Sequence, residues 1–135
     1  MIRTFAGTVL FALLVSLVPA YAHHSFAAEF DLNQPITFTG KVTKMEWANP
    51  HIYYYVDVTD ANGKVVNYAV EGGPPNVLFR QGWRKDSLKP GDIITVDGYK
   101  AKDGSNHVNG RHVTFPDGRK VFAGSPDGGP TDKKN

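Results

Sequence analysis

The sequence contains no cysteine. A chain without thiols has no disulfide, no thiolate metal site and no cysteine nucleophile, and it offers no cysteine for a bacterial lipoprotein anchor after Ala22. The stability of the fold must therefore come from a packed core. The apolar residues available for that core are mostly Val, Ile, Phe, Tyr and Trp, which favour β structure.

A strong excess of one charge is also missing. The chain has 15 Lys and Arg against 13 Asp and Glu, which gives a formal net charge of +2. Binding to nucleic acid depends largely on dense positive charge that attracts the phosphate backbone. We therefore expect no nucleic-acid partner.

Recognisable catalytic motifs are lacking as well. The carboxylates show no paired motif, the serines have no nucleophile-elbow context, and no HExxH zinc pattern occurs. Gly72-Gly73 is not followed by the pattern of a phosphate-binding loop. The sequence therefore favours a binding protein over an enzyme. The carboxylates considered are Glu29, Asp31, Glu46 and Glu71.

One long apolar run is present, at the N-terminus. Arg3 precedes the apolar run Phe5–Val18, and Ala20-Tyr21-Ala22 fits a small-x-small cleavage site. A membrane anchor is the competing interpretation, but the run is short of the roughly 20 residues that a spanning helix needs. The pattern predicts a signal peptide over residues 1–22, cleavage after Ala22, export to the periplasm and no membrane span afterwards.

The remaining chain is organised around Lys41–Thr59, where two alternating runs flank Ala48-Asn49-Pro50. In the second run, apolar residues share one face and Tyr53, Tyr55 and Asp57 take the other, which is the period of a half-buried strand. This strand is predicted to supply the centre of a small β core. The apolar residues are Ile52, Tyr54, Val56 and Val58.

Turn signals and alternation predict a series of short strands with one helix among them. The strands are expected at about residues 36–47, 52–59, 64–71, 93–101, 107–115 and 120–123, with a β-bulge in the first strand at Thr43-Lys44. A short helix is expected at residues 76–81, between the third and fourth strands. This order is typical of an OB-type barrel, with a sandwich or a simple meander as the alternative.

The predicted fold is thus an all-β, five- to six-stranded OB-like barrel with one short helix. It forms a single domain over residues 23–123. The lead-in from His23 to Pro35 is expected to pack along the barrel or to pair loosely at an edge. Residues 124–135 are rich in Gly, Pro, Asp and Lys and are predicted to be a disordered tail.

Several segments resemble an uncharacterised bacterial exported family that is classed only as a domain of unknown function. The resemblance covers nearly all of the mature chain, and it rests on the His-His start, the Glu-Trp-x-Asn-Pro-His motif and the Gly-Gly-Pro-Pro-Asn segment. It implies a periplasmic or secreted protein and no established activity. The segments are Ala22–Asp31, Val42–Val58, Val70–Trp83, Leu88–Ser105 and Val113–Gly124.

The best candidate for chemistry is the new N-terminus. Cleavage after Ala22 gives His23 a free α-amine beside its imidazole, and a second imidazole from His24 or His51 would complete a nitrogen set suited to Cu(II). Cleavage after Ala20 would place His23 third in the chain, which also favours Cu(II) or Ni(II). The sequence therefore predicts copper binding, although exposed terminal histidines also bind Cu(II) weakly without purpose, and His51 could instead hydrogen-bond its turn.

A metal-free interaction domain is the alternative. Tyr53 and Tyr55 point away from the core face of their strand, where OB barrels carry aromatic ligand platforms. They would bind a small ligand, a glycan or an envelope protein, unless Phe26 or Phe30 covers them. His107 and His112 are expected to be solvent-facing polar residues.

Overall fold

The computed structural model describes residues 26–125. A first helix, α1, covers Phe26–Glu29 and leads directly into the long strand β1. A second short helix, α2, covers Pro75–Arg80 and separates β3 from β4, where the sequence predicts a helix. The strands are β1 (Phe30–Glu46), β2 (Tyr53–Thr59), β3 (Val65–Glu71), β4 (Ile93–Ala101), β5 (His107–Thr114) and β6 (Lys120–Phe122).

The six strands form one sheet in the order β3-β2-β1-β4-β5-β6, and an additional pairing joins β3 to β5. That last pairing is parallel, with Val70 opposite Val108, whereas the other strand pairs are antiparallel. It brings the two ends of the five-stranded run together and closes the ring. The predicted class, a small OB-like β-barrel with one helix between the third and fourth strands, is therefore confirmed.

The core follows the alternation of the strands. Tyr54 and Val56 of β2 are fully buried, and so is Ile52, which lies just before the strand. Tyr53 and Tyr55 lie on the outer face. Residues Leu78 of α2 and Trp83 close to it are also buried and belong to the same core cluster. The short helix thus contributes apolar side chains to the barrel interior, as the sequence predicts.

The long first strand contains both an expected and an unexpected feature. The register between β1 and β2 shifts between Val42 and Lys44, which confirms the predicted bulge. However, β1 begins at Phe30, six residues before the expected start, and its pairing with β4 is irregular between Phe30 and Pro35. Residues 30–35 of the lead-in are therefore part of the sheet. Phe30 is buried there, although no apolar alternation marks this segment.

Two glycines after β3 allow three chain segments to approach closely. A Cβ at Gly72 would stand 2.7 Å from a side-chain carbon of Ile52, and one at Gly73 would collide with the backbone of Gly124. The amide of Gly73 donates to the carbonyl of Ala123 at 2.9 Å. The Gly-Gly segment therefore fastens the end of β3 against the chain that follows β6.

The ends of the chain lie largely outside the described residues, including the predicted signal peptide and most of the predicted tail. Within residues 26–125, Gly124 is still buried, and the guanidinium of Arg111 donates to the carbonyl of Ser125 at 3.2 Å. No helix in this part of the chain is long and apolar enough to cross a membrane.

Candidate functional site

Four polar side chains meet where β2, β3 and β5 come together, and we call them the Glu71 cluster. Its members are His51, Tyr53, Glu71 and His107. The Glu71 carboxylate lies at the centre: one oxygen, Oε1, is 2.6 Å from His51 Nδ1, and the other, Oε2, accepts a hydrogen bond from the Tyr53 hydroxyl at 2.9 Å. His107 Nε2 lies 3.4 Å from Oε2, at the outer range of an ion pair.

Strand register explains how residues far apart in sequence reach this point. Tyr53 is the first residue of β2 and stands opposite Glu71, the last residue of β3. The parallel pairing of β3 with β5 then sets His107 opposite Ala69, so that its side chain reaches Glu71 and Tyr53 from β5. His51 approaches from the turn that precedes β2, where the Asn49–Pro50 bond is cis.

Glu71 is buried and yet charged. Only 7% of the residue is exposed, and burial alone raises the pKa of a carboxyl. The pKa of Glu71 nevertheless lies below its ordinary value, because three neighbours favour the charged form by more than burial opposes it. These are the contacts with His107 and Tyr53 and the nearby charge of His51. At neutral pH the side chain is therefore a carboxylate, which accepts hydrogen bonds and donates none.

This charge fixes the protons of its neighbours. Burial is the main cause that raises the pKa of Tyr53 well above its usual range, and the hydrogen bond to Glu71 adds to it. Tyr53 therefore stays protonated and donates its hydroxyl proton to Glu71. Because the carboxylate cannot donate, His51 must carry its proton on Nδ1, which faces Oε1. A neutral His51 therefore has its lone pair on Nε2. No described residue donates a hydrogen bond to this nitrogen.

His107 is held by rings as well as by charge. Its imidazole stacks on Tyr53, with centroids 5.8 Å apart, and meets the edge of Phe30 at 5.0 Å. Its Nε2 is buried without a well-formed hydrogen bond, and so is Oδ1 of Asn109, two residues further along β5. His107 was expected to be a solvent-facing polar residue; its side chain is 28% exposed, but barrel closure also places its Nε2 against the buried Glu71.

Phe30 also links the cluster to the start of the described chain. Its ring lies 5.6 Å from that of Phe26, which in turn makes an edge contact with Tyr99 at 5.6 Å. The contact with Tyr99 joins α1 to β4, and the contact of Phe30 with His107 joins β1 to β5. The ring of Phe30 lies against His107, and within the described residues no ring contact joins Phe26 or Phe30 to Tyr53 or Tyr55.

The other predicted platform residue, Tyr55, lies outside the cluster on the same outer face. Its hydroxyl donates to Glu46 Oε2 at 3.2 Å, and the Lys44 ammonium lies 5.7 Å from its ring centroid. Tyr53 and Tyr55 therefore share a face, as predicted, but each hydroxyl is held by a different carboxylate. Tyr55 is the more open of the two platform residues, because Tyr53 stacks on His107.

The predicted metal ligands are only partly described. His51 belongs to the Glu71 cluster, whereas His23 and His24 lie outside the described residues. Within residues 26–125, no group of three or more His, Cys, Asp and Glu side chains is arranged to hold a metal ion.

Sequence reasoning missed Glu71 and His107 as site residues. Glu71 closes the predicted third strand and comes directly before Gly72-Gly73. Glu71 follows the inward-facing Val70, so the alternation of the strand put it on the outer face. A carboxylate on an outer face is exposed to solvent and gives no sign of a functional role. The informative signal was the parallel β3–β5 pairing, which an OB-type order implies but which local alternation does not show.

Comparison with known proteins adds a family and no activity. Residues 12–110 match the family of unknown function DUF6152. No curated protein and no solved structure matches the chain.

Proposed function

Because the chain belongs to the family of unknown function DUF6152, its relatives offer no activity to transfer, and we propose a function from the geometry. The protein is an exported periplasmic binding module that holds copper through its mature N-terminal histidine, His23, together with His51. His24 is the alternative partner. The observation that carries the proposal is the 2.6 Å contact between His51 Nδ1 and the Glu71 carboxylate.

That contact prepares His51 as a metal ligand. Metal-binding histidines commonly donate their second ring N–H to a carboxylate, which fixes the tautomer and makes the ligating nitrogen more basic. Glu71 does this for Nδ1 and leaves the lone pair on Nε2. The side chain of His51 is 26% exposed, so an ion can approach from solvent.

Chain length supports His23 as the second contributor. Phe26 is joined to the Glu71 cluster through the single ring of Phe30. An extended chain from Phe26 to His23 spans at most about 11 Å. This short connection to a segment that contacts the cluster supports a shared ion between His23 and His51.

The donor set determines the metal. The α-amine and imidazole of His23 would chelate one ion, and the imidazole of His51 would add a third nitrogen. Nitrogen ligands in a tetragonal arrangement suit Cu(II), which also binds such ligands more tightly than the other divalent ions of the first transition row. Copper is accordingly the metal we propose.

The test is a Cu(II) titration with EPR on protein that has been exported and processed in cells, with its N-terminus established by mass spectrometry. We expect one site with a Kd of about 1 nM or lower, about −12 kcal/mol, and nitrogen hyperfine structure. His23→Ala and His51→Ala should each remove the tight site. His112→Ala is the matched control, because His112 lies on β5 in contact with Phe122 and outside the cluster.

A second preparation separates this site from adventitious binding. One residue added before His23 blocks its α-amine from the chelate and should abolish the tight site without altering the barrel. Loose binding of several ions, unchanged by that extension and by His51→Ala, would contradict the copper function.

The second candidate is a metal-free interaction domain that binds a small ligand, a glycan or an envelope protein. The outward position of Tyr55, with its hydroxyl held by Glu46 at 3.2 Å, supports it. Glycan-array binding or cross-linking to an envelope protein that is lost in Tyr55→Ala but kept in His23→Ala would favour this function over copper binding.

A further inference from the structure

A cavity of about 380 Å³ lies between the end of α2 and the hairpin formed by β5 and β6. Small-molecule pockets in proteins have volumes of about 300–1,000 Å³ and combine apolar walls with a few polar groups. The walls here include Trp83, Phe115 and Phe122, and Arg119 lies at the rim. The cavity shares no residue with the Glu71 cluster.

The aromatic wall is fixed before any ligand arrives. Trp83 is 5% exposed, and its indole N–H donates to the carbonyl of Phe122 at 3.0 Å. This bond ties the segment after α2 to β6, which is the opposite side of the cavity. A preformed aromatic wall loses little conformational entropy on binding and favours a flat apolar molecule.

The turn between β5 and β6 places Arg119 beside Phe115. The amide of Phe115 donates to the carbonyl of Arg119 at 3.0 Å, and Gly118 donates back to the carbonyl of Phe115 at 2.9 Å. Gly118 has a φ of 83°, which suits glycine at this position. The guanidinium of Arg119 consequently lies 4.4 Å from the centroid of the Phe115 ring.

Arg119 has donors left for a ligand. Its Nε lies 3.7 Å from Asp117 Oδ2, and both side chains are more than 60% exposed (62% and 64%). An exposed pair at this separation is weak. A guanidinium stacked on an aromatic ring presents its planar edge, which binds carboxylate or sulfonate groups with two parallel hydrogen bonds.

We propose that this cavity is a binding site for a small aromatic anion, whose planar body lies against Phe122 and the small exposed part of Trp83 and whose acidic group pairs with Arg119. The site is independent of copper binding. Its ligand class follows from the joint presence of a rigid aromatic wall and one accessible guanidinium.

Two matched fluorescent probes test the proposal: 8-anilinonaphthalene-1-sulfonate, which carries an aromatic body and an anion, and its neutral counterpart N-phenyl-1-naphthylamine. We expect one saturable site for the sulfonate. Arg119→Gln should weaken sulfonate binding about tenfold, the effect of losing one hydrogen bond to a charged group, and should leave the neutral probe unaffected. Arg80→Gln is the control, because Arg80 is an exposed residue of α2 away from the cavity lining.

Trp83 reports where the probe binds. The chain has 2 tryptophans, so Trp47→Phe leaves Trp83 as the single source of tryptophan emission. Sulfonate binding should quench that emission with the same affinity as the probe titration gives. A probe that binds without quenching Trp83 lies elsewhere and overturns the proposal.

Three further results would also overturn it. Equal sulfonate affinity in wild type and Arg119→Gln would exclude the guanidinium. Tighter binding of the neutral probe than of the sulfonate would indicate a purely apolar ligand. A concentration-dependent dimer in sedimentation velocity that competes with the sulfonate would assign the cavity to a second copy of the chain.

Discussion

Glu71 holds a negative charge at a position that is 7% exposed. An unpaired carboxylate would not stay ionised there, because burial favours its neutral form. His51, Tyr53 and His107 supply the compensating contacts. Each of these residues therefore depends on Glu71, and its removal affects all three together.

Replacing Glu71 with Gln keeps the shape of the side chain and removes its charge. We expect the free energy of unfolding to fall by about 1–3 kcal/mol, because buried partners lose a charged acceptor. Copper affinity should fall about 10- to 100-fold, the usual cost of losing the carboxylate behind a ligating histidine. Urea unfolding and Cu(II) competition titration measure the two effects.

Glu46→Gln is the matched control, since Glu46 also accepts from a tyrosine hydroxyl but is part-exposed. It should change neither quantity by more than about 0.5 kcal/mol. An equal effect of the two substitutions would show that burial of Glu71 has no special role.

Two adjacent tyrosines give a second comparison at this scale. Tyr53 donates its hydroxyl proton to Glu71, so Tyr53→Phe should cost about 1 kcal/mol of stability. The hydroxyl of the fully buried Tyr54 has no hydrogen-bond partner among the described residues. Tyr54→Phe should therefore be neutral or stabilising by up to about 1 kcal/mol, because it removes an unsatisfied buried group.

Thermal and urea unfolding of both variants measure the contrast. A loss of stability in Tyr54→Phe as large as that in Tyr53→Phe would mean that the Tyr54 hydroxyl has a partner, such as an internal water.

At the scale of elements, the Gly72-Gly73 segment joins the end of β3 to the chain after β6. Gly73→Ala should destabilise the fold by about 1–3 kcal/mol, because the new methyl group collides with the backbone of Gly124, which cannot move like a side chain. It should also weaken the Glu71 cluster, since Glu71 directly precedes this segment. Chemical unfolding and the Cu(II) titration would detect both effects.

Gly104→Ala provides the comparison. Gly104 has a φ of 76° and open space around its Cα, so alanine should cost only the backbone strain of about 1–2 kcal/mol. Copper binding should be unchanged. If Gly73→Ala affects stability but leaves copper binding intact, the end of β3 does not position Glu71.

The elements themselves could largely be predicted from the sequence. Alternation located β2 and β4, and the shift of phase near Thr43 located the bulge. The start of β1 at Phe30 was missed, because Asn33, Gln34 and Pro35 interrupt any alternation. Local pattern predicts a strand where one face is buried regularly, and this part of β1 pairs irregularly with β4.

The candidate site was harder to predict than the fold. His51 and Tyr53 were identified, because an unusual turn and an outward aromatic residue draw attention in the sequence. Glu71 and His107 are ordinary outer-face residues until β3 pairs with β5. That pairing joins residues such as Val70 and Val108, and no local pattern encodes a contact between segments so far apart.

At the scale of the whole molecule, the buried carboxylate makes stability depend on pH. The pKa of Glu71 is lowered from 4.5 in the fold, so its contribution is fully present above the unfolded pKa and is lost as pH falls through the lower folded value. Urea unfolding from pH 7 to pH 3 should show the stability difference between wild type and Glu71→Gln shrinking below about pH 4.5. A difference that stays constant over this range would contradict the assigned charge.

The two halves of β1 pair with partners at different distances along the chain. Its second half pairs with β2, with Met45 opposite Tyr54, whereas its first half pairs with β4, with Thr39 opposite Thr95, 56 residues away. The hairpin can form early, but Ile36 to Gly40 have no strand partner until β4 arrives. Topologies dominated by such distant pairings fold in milliseconds to seconds. During that interval the first half of β1 is an open strand edge. A chain that is made from its N-terminus exposes this edge until its last third is available, and pairing with other chains must be prevented over that time.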